Sequence, residues 1–247
     1  MFTDIDAKKL LLDSKRPLPV HTVKSLREHL LIDWTYNSNA IEGNTLTIYE
    51  TKVVLEGITI GGKTMREHLE VINHRDAILY VEEIVRKNEP FSEWQIRNIH
   101  RLVLSKIDDE NAGVYRKVDV RIGGAKHIPP SFYNLPGEMQ RLMDWYESEG
   151  STLHPVERAA LLSSKFVNIH PFVDGNGRTS RLLLNLELMK YGYPPIVIRK
   201  ESRFQYYEAL DKAAMTGDHS NFIALVAAEL KSELDTYLKL VNHGELS

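Results

Sequence analysis

The run from His170 to Arg181, HPFVDGNGRTSR, places side chains suited to phosphate chemistry within twelve positions. His170 can accept a proton near neutral pH, which makes it a candidate general base. Asp174 is a hard oxygen ligand of the kind that Mg²⁺ prefers. Arg178 and Arg181 lie three residues apart, hence on one face of a helix, and guanidinium groups match phosphate oxygens. These residue types suit the transfer of a phosphorylated group onto a hydroxyl.

A loop that leads into a helix is predicted to position these groups. Asp174 to Gly177 predicts the loop, because glycine tolerates backbone angles that other residues avoid. Thr179 to Lys190 predicts the helix, since its leucines recur at helical spacing. Such a helix start favours a bound phosphate, because free N–H groups and the positive end of the helix dipole meet there. Taken singly, each residue has an ordinary alternative role as a structural histidine, a solvated turn or an exposed helix charge.

The whole run resembles the signature of the Fic family, H-P-F-x-[DE]-G-N-G-R-x-x-R, and matches it at every specified position. The resemblance implies a nucleotidyltransferase, most often one that moves AMP from ATP to a Ser, Thr or Tyr hydroxyl of a protein, with self-modification expected. It implies that His170 deprotonates the target hydroxyl and that Asp174 holds Mg²⁺ or Mn²⁺. The residues that it implies for binding the phosphates are Gly175, Asn176, Gly177, Arg178 and Arg181.

Gly177 bears on which reaction is expected. The Doc-type kinases of the same fold carry lysine at this position and bind ATP the other way round, so phosphorylation is the less favoured reaction here. No Walker-type G-x-x-x-x-G-K-[ST] string occurs in the chain.

A second group of residues lies far upstream, from Ser38 to Asn44. A helix-like apolar pattern starts near Thr22, and Gly43 is a plausible end for it. Glu42 then falls in the last turn, where the helix dipole disfavours an anion by about 0.3–1 kcal/mol. A cationic partner elsewhere in the fold and a simple solvated glutamate both account for this position.

The family resemblance favours a cationic partner. Ser38, Glu42 and Gly43 match the [S/T]-x-x-x-E-[G/N] inhibitory motif of Fic proteins. In the subgroup that carries this motif N-terminal to the active site, the glutamate pairs with the second arginine of the signature, here Arg181. The pair would deny Arg181 to the γ-phosphate, so the resemblance implies autoinhibition.

Two other functions stay open. In the animal members that this chain resembles, the same glutamate, Glu42, supports removal of AMP, so a deAMPylase or a bifunctional enzyme is one alternative. A nucleotide-binding regulatory module without turnover is the other, and the complete set of His170, Asp174, Asn176 and Arg181 disfavours it.

A third segment alternates polar and apolar residues from Lys117 to Ile122, as an exposed strand does. Gly123-Gly124 predicts a turn, and a surface hairpin without special function would explain the pattern equally well. The resemblance identifies this segment with the Fic flap, a β-hairpin that holds a target's backbone by strand addition. The residues expected to contact the target are Val118, Asp119 and Val120.

The nucleotide base is expected near Tyr206, Tyr207 and Leu210, which match the Y-Y-x-x-L pattern that walls the adenine in similar proteins. Aromatic residues on a helix more often belong to the core. Several relatives have asparagine four residues after this leucine, where the chain has Ala214, so the preference for ATP over other nucleotides stays open.

Composition adds limits. The chain has 247 residues, a net charge of −3 and no cysteine, which argues against nucleic-acid binding and excludes disulfides. The acidic N-terminus lacks the apolar run of a signal peptide, and no stretch approaches the ~18 apolar residues of a membrane span. A soluble cytoplasmic protein without membrane contact is expected. A homodimer is expected by analogy with relatives that carry an N-terminal inhibitory helix.

Almost every other segment predicts helix, so the expected fold is all-α, a helical bundle with a small β-hairpin flap over the active site. The expected division is an N-terminal helical extension (1–37), an inhibitory-motif region (38–62), a catalytic core (63–228) and a C-terminal helix end (229–247). Thr47 and Glu50 predict a capping box at the start of a helix Ile48–Leu55, and His68, His74 and His154 are expected to be structural. The remaining predicted helices are Arg66–Arg86, Ser92–Ser105, Gly137–Glu149, Pro155–Asn168, Thr179–Tyr191, Glu201–Met215 and His219–Leu240.

Overall fold

Helices make up the regular structure of residues 2–244, the part of the chain that the computed structural model describes. This confirms the all-α class. Three short 3₁₀ turns, at 132–134, 149–152 and 200–202, join some of the helices. The helices are α1 (Thr3–Ser14), α2 (Val20–Ile41), α3 (Ile48–Leu55), α4 (Met65–Arg86), α5 (Glu93–Leu104), α6 (Leu135–Glu147), α7 (Pro155–Ile169), α8 (Asn176–Lys190), α9 (Arg203–Thr216) and α10 (Ser220–Gly244).

Helices α7 and α8 pack against each other at the centre of the bundle. Leu182, Leu183 and Leu186 face one hydrophobic core with α4, α5 and α6. Leu184 and Leu188 face a second core with α1, α9 and α10. A helix that is apolar on several sides is a buried helix, because each side needs its own covering layer. Packing against these two cores therefore fixes the position of α8, whose first turns carry signature residues.

Side-chain capping sets the starts of α3 and α4. Glu50 N–H donates to Oγ1 of Thr47, and the Glu50 carboxylate accepts from Thr47 N–H at 2.7 Å, which confirms the predicted capping box. Thr64 and Glu67 form a second box at the start of α4. Because α4 packs against α2, α5 and α8, this start aligns its side chains with the site described below.

The predicted boundary of α8 is wrong by about one turn. The helix begins at Asn176, so Asn176 and Gly177 lie in its first turn and not in a loop. Gly175, with φ +75°, makes the change of direction alone. The left-handed conformation is nearly free for glycine, which lets the helix start directly after it.

The predicted β-hairpin is also wrong, because no strand occurs within residues 2–244. The segment 117–131, the flap segment, makes most of its backbone bonds with side chains and not with a second strand. Asp211 Oδ1 accepts from the N–H groups of Lys126 and His127, and Asp119 Oδ1 accepts from Phe132 N–H. The turn predicted at Gly123-Gly124 is present, closed by a bond from Ala125 N–H to the Ile122 carbonyl. The alternation of polar and apolar residues in this segment is therefore not accompanied by a β-ladder.

Helix α10 continues to Gly244, past the predicted end of the last helix at Leu240. Residues 245–247 of the expected C-terminal tail lie outside the described residues. Within residues 2–244, no helix combines the length and the apolar character that crossing a bilayer requires.

Candidate active site

His170 ends α7 at the entrance to the signature loop. Its backbone is left-handed, with φ 52° and ψ 57°, and this sharp corner turns the chain toward α8. Nδ1 lies 3.2 Å from the carbonyl oxygen of Val167. Because a carbonyl can only accept, Nδ1 carries the proton and Nε2 presents a free lone pair. Burial lowers the pKa of His170 below its ordinary value, so the ring is neutral near pH 7 and able to accept a proton.

Asn176 holds the loop between His170 and α8 in a closed shape. Its side-chain oxygen accepts from Phe172 N–H at 3.0 Å, and its amide nitrogen donates to the Phe172 carbonyl at 2.9 Å. Both polar atoms of the buried side chain are therefore committed to the loop. The expected contact of Asn176 with a phosphate stays a prediction.

His100, on α5, supports the same loop and was not predicted. Its Nδ1 accepts from Gly113 N–H at 2.9 Å, so its Nε2 carries the proton and donates to the carbonyl of Asp174 at 2.8 Å. Its ring stacks on Phe172, with centroids 3.5 Å apart. Burial lowers the pKa of His100 to about 4. A Cβ at Gly175 would lie 3.2 Å from this ring, a tight contact that adds to the preference for glycine set by the backbone angle of φ +75°.

Asp174 stands in a network of alternating charges. Oδ2 accepts from Nη2 of Arg66 at 2.6 Å, and Oδ1 accepts from Gly175 N–H at 2.6 Å and from Arg178 at 3.4 Å. Glu70 Oε1 lies 3.2 Å from Nε of Arg66 and 3.5 Å from Nη1 of Arg178. Burial alone would raise the pKa of Asp174, but Arg178, the Gly175 N–H and Arg66 together keep it below its ordinary value. The carboxylate is therefore ionised.

Arg66 and Glu70 were not predicted, although they complete this network. They lie one turn apart on α4, more than a hundred positions before Asp174. An Arg and a Glu at this spacing usually form an exposed helix pair, so the sequence carries no specific signal for them.

The guanidinium of Arg181 is buried, and each of its three nitrogens has a hydrogen-bond partner. Nε donates to Oγ of Ser38 at 2.9 Å, and Nη2 donates to the Ser38 carbonyl at 2.8 Å and to Oε1 of Glu42 at 2.7 Å. Nη1 lies 3.5 Å from the hydroxyl of Tyr206. Burial alone would lower the pKa of Arg181, but Glu42 and Tyr206 raise it above its ordinary value. The structure thus brings together Ser38, Glu42 and Arg181, which the sequence grouped by resemblance.

Glu42 lies directly after α2, and Gly43, with φ +101°, turns the chain away from the helix. The side chain of Glu42 is 31% exposed, against 3% for Arg181. A Cβ built at Gly177 would lie 2.2 Å from Oε1 of Glu42. The carboxylate therefore rests against the first turn of α8, on the backbone that was expected to hold phosphates.

The residues expected at the adenine differ in exposure. Tyr206 and Leu210 are buried in the second core, while Tyr207 is 37% exposed. The Tyr207 hydroxyl donates to the carbonyl of Ile41 at 3.2 Å, and the guanidinium of Arg203 lies 5.4 Å from its ring centroid. In this structure Tyr207 is the residue of the three that a nucleotide base could meet, and the pocket itself stays a prediction.

The flap segment is attached beside His170 through Arg116, which was not predicted as a site residue. Arg116 donates to the carbonyls of His170 and Val118, both at 2.9 Å. Val118 and Asp119 are exposed and Val120 is half-buried. The three residues expected to touch a target therefore lie within a few positions of the anchor.

Other histidines have structural surroundings. His68 accepts from Ile60 N–H through Nε2, and His154 accepts from Val156 N–H as the cap of α7. His74 is fully buried. Among residues 2–244, no group of three or more His, Asp and Glu side chains could by itself hold a metal ion.

Comparison with known proteins identifies the same region. The model of the family described as "Fic/DOC family" matches residues 90–188. "Protein adenylyltransferase Fic" of Drosophila melanogaster is 40% identical over 243 residues, which cover 95% of this chain and 49% of the relative. The chain of Drosophila willistoni with the same description is 39% identical over 95% of this chain and 48% of its own length. The chain thus spans about half the length of the curated relatives that it matches.

Solved structures resemble the whole described fold. A Fic domain containing signaling protein from Bacteroides thetaiotaomicron is 30% identical, with a TM-score of 0.90 over 98% of this chain and 97% of that chain. Fic-1 from C. elegans is 32% identical, with a TM-score of 0.86 over 98% of this chain and 72% of that chain.

Proposed function

This chain belongs to the Fic/DOC family, and on that premise we propose that it is a protein adenylyltransferase, which moves AMP from ATP to a Ser, Thr or Tyr hydroxyl of a protein. One observation carries the proposal. The free Nε2 of His170 and the N-terminus of α8 belong to the same short loop, closed by Asn176. Because one short loop joins the base to the N-terminus of α8, which favours anions, both can act on the same phosphorylated substrate.

The proposed reaction assigns a task to each group. The target hydroxyl attacks the α-phosphorus of ATP while Nε2 of His170 takes its proton. A new oxygen–phosphorus bond forms, the bond from the α-phosphorus to the bridging oxygen breaks, and pyrophosphate leaves. The N–H groups of the first turn of α8, with Arg178 and Arg181, hold the phosphates and stabilise their charge. Positioning and charge stabilisation carry most of the catalysis in such transfers.

The residues present fit a Mg²⁺ or Mn²⁺ ion at Asp174. Magnesium is commonly bound by one or two carboxylates together with substrate phosphates and waters, and not by a protein cage. The ionised, partly exposed Asp174 matches that donor set. When bound, the ion would neutralise charge on the phosphates. The carboxylate must first exchange its bond with Arg66, which a 58% exposed side chain can release at small cost.

We also propose that Glu42 and Arg181, here the inhibitory pair, keep the resting enzyme inactive. Arg181 makes two bonds to Ser38 and one to Glu42. The Nη2 hydrogen that bonds Glu42 is therefore not available to a γ-phosphate until Glu42 moves. Removing one partner of a buried ion pair leaves the other charge uncompensated, which costs several kcal/mol. A triphosphate that replaces Glu42 supplies the missing negative charge.

Removal of AMP is the second candidate function, favoured by the position of Glu42. Its carboxylate lies against Gly177, on the helix start proposed to hold the phosphates. A carboxylate at that place could act as general base for a water that attacks the phosphodiester.

The partners proposed are ATP, a protein target, the protein itself and a second copy of the chain. The exposed flap segment, with backbone groups not paired to another strand, suits a target held by strand addition. The apolar side chains of Tyr49, Ile58 and Met65, on the α3–α4 part of the chain, are each exposed, and this exposure is the observation that supports a homodimer.

The test is intact mass after incubation with Mg·ATP, for the wild type, Glu42→Gly and Glu42→Gly/His170→Ala. We expect one added AMP on Glu42→Gly and none on the double variant. An added phosphoryl group would replace the proposal with kinase activity. If no variant changes mass, AMP-modified Glu42→Gly prepared by chemical ligation is incubated with the wild-type protein. A deAMPylase that uses Glu42 would restore the unmodified mass, whereas a binding module without turnover would leave the AMP in place.

A further inference from the structure

Arg116 is a buried arginine whose guanidinium binds backbone oxygens on three separate stretches of chain. Nε donates to the carbonyl of His170 at 2.9 Å, Nη1 to Val118 at 2.9 Å and Nη2 to Pro130 at 2.5 Å. Its own N–H donates to the carbonyl of Pro171 at 2.9 Å. One residue thus joins the catalytic corner to both ends of the flap segment.

The burial of the positive charge of Arg116 is unusual, because the partners of its guanidinium are backbone carbonyls and not a buried carboxylate. The side chain of Arg116 is fully buried, and the acid nearest to it, Asp119, lies 3.7 Å away with 67% of its side chain exposed. Burial lowers the pKa of Arg116 below its ordinary value. A buried guanidinium is tolerated when its donors are satisfied. The planar guanidinium of Arg116 holds three backbone carbonyls in a fixed geometry, which the flexible ammonium group of a lysine would not do.

The corner that Arg116 holds is one that needs support. His170 adopts φ 52° and ψ 57°, a region that residues with a Cβ enter at a cost of order 1 kcal/mol or more. Arg116 binds the carbonyl of His170 through its side chain and the carbonyl of Pro171 through its backbone. Both peptide planes after the base are therefore held by one residue.

We propose that Arg116 is a positioning residue that couples the flap segment to His170, so that a target bound on the flap segment and the base that deprotonates it share one anchor. The inference rests on the proposed function. A shift of either end of the flap segment, at Val118 or at Pro130, moves the guanidinium of Arg116. The guanidinium then moves the peptide group of His170, to which it is bonded. The geometry makes the same bonds responsible for holding a target and for aiming Nε2.

The plain alternative is that Arg116 only stabilises the fold. Two variants separate these roles in a Glu42→Gly background. Arg116→Lys keeps the charge and loses the fork, whereas Arg116→Gln loses both. The matched control is Arg97→Gln, which removes a bond from an exposed arginine to the carbonyl of Gly113 in the same loop, without contact to His170 or the flap segment.

The first readout is self-adenylylation at saturating Mg·ATP, with the Kd for ATP measured by calorimetry. We expect Arg116→Lys to slow the transfer by on the order of 10- to 100-fold, because small misplacements of a base cost about that much. The Kd should change less than about twofold, and Arg97→Gln should change neither quantity. A transfer rate equal to that of the parent overturns the proposal. A loss of ATP binding in parallel with rate overturns it too, since that indicates a collapsed site.

The second readout is the pH dependence of the same transfer. His170 is faced by the positive charge of Arg116 and by His127, with Glu42 absent in this background, and Arg116 contributes to the lowered pKa of His170. Arg116→Gln should therefore shift the acid limb of the profile to higher pH, whereas Arg116→Lys should leave it in place. This readout checks that the charge of Arg116 faces His170 during transfer, and an unshifted acid limb in Arg116→Gln would overturn the proposal because it would place the guanidinium away from the base.

The third readout needs no activity, so it distinguishes this inference from the proposed function. Hydrogen exchange is compared in Glu42→Gly with and without Arg116→Lys, over the flap segment and over residues 170–173. We expect both segments to exchange faster together while α10 keeps its protection. Faster exchange in the flap segment alone would show that the two are uncoupled and would overturn the inference. If the Glu42→Gly parent shows no transfer at all, the proposed function fails while this result still decides the coupling.

Discussion

The carboxylate of Glu42 occupies the space that a side chain at Gly177 would fill. A Cβ at position 177 would lie 2.2 Å from Oε1 of Glu42 and 3.1 Å from its carboxyl carbon. The inhibitory glutamate and the helix start proposed to bind phosphate are thus in direct contact. Glycine at this position permits both the close approach of Glu42 and, once Glu42 leaves, the approach of another anion.

This contact predicts an energetic coupling between the two positions. Gly177→Ala should destabilise the wild type by about 1–3 kcal/mol, the usual effect of overpacking. In the Glu42→Gly background the same change should cost clearly less, because Oε1 of Glu42 is gone and alanine favours the helix by up to about 1 kcal/mol, while Nη1 of Arg181, 3.2 Å from the new Cβ, remains as a close neighbour. Urea unfolding of the four proteins measures the cycle. The control is Gly61→Ala, because no atom lies within 4 Å of a Cβ at that position; it should change the free energy of unfolding equally in both backgrounds. If Gly177→Ala also changes the free energy of unfolding equally in both backgrounds, the contact between Glu42 and Gly177 is contradicted.

The lowered pKa of His170 predicts the acid limb of the reaction. A general base works when neutral, so activity should fall as the pH drops through its pKa and persist above it. Burial places the pKa of His170 below 6.5, so transfer by Glu42→Gly should hold down to mildly acidic pH. The rate measured from about pH 5 to pH 8 checks this. An acid limb centred above 6.5 would exclude His170 in its observed surroundings as the base.

The buried ring of His100 predicts acid sensitivity of the fold itself. Its pKa is about 4 in the folded protein against 6.5 for the unfolded chain. Below pH 6.5 the unfolded chain takes up a proton that the folded protein refuses, so stability should decline as the pH falls from about 6.5 to about 4. The loss amounts to about 3 kcal/mol for this group. His100→Gln should be less stable at pH 7.5 and show a shallower decline in urea unfolding. His21→Gln, a change of an exposed residue on α2, should decline as steeply as the wild type.

The ion pair of Arg66 with Asp174 predicts competition with the metal. Arg66→Ala should strengthen Mn²⁺ binding in the presence of ATP, by no more than about fivefold, because a pair this exposed is worth less than about 1 kcal/mol. Asp174→Asn should weaken it strongly, and a chelator should stop transfer. Paramagnetic resonance of Mn²⁺ measures the affinity. Arg75→Ala, which breaks a pair with Asp76 elsewhere on α4, serves as the control, and an equal effect of both changes would argue for general charge instead of competition.

Local sequence was sufficient for the parts of this protein that depend on neighbours along the chain. The capping box of Thr47 and Glu50 and the helical periodicity of α4 to α10 lie within a few turns, so spacing alone predicted them. The run from His170 to Arg181 also lies within a few turns. Its residue types and order were enough to indicate phosphate chemistry and the family.

The errors came from segments whose structure depends on partners. The flap segment alternates like a strand, but its backbone groups bond to the side chains of Asp211 and Arg116 and to no second strand. The start of α8 was predicted too late, because a single left-handed glycine and the side chain of Asn176 complete the turn that a longer loop would otherwise need.

By itself, then, the sequence determined the helical class with most of its helices, the order of the signature residues and the type of chemistry that these residues suit. Only the tertiary structure decided which distant side chains act on them. Arg66 and His100 reach the signature loop from α4 and α5, and Arg116 reaches it from the position before the flap segment. Ser38 and Glu42, which the family resemblance had grouped with Arg181, reach that residue on α8 from the end of α2. These contacts arise because the leucines of α8 fix that helix between two cores, and the packing of the surrounding helices then sets which polar side chains meet its first turn. Such meetings depend on distance in space, which residue spacing along the chain does not encode.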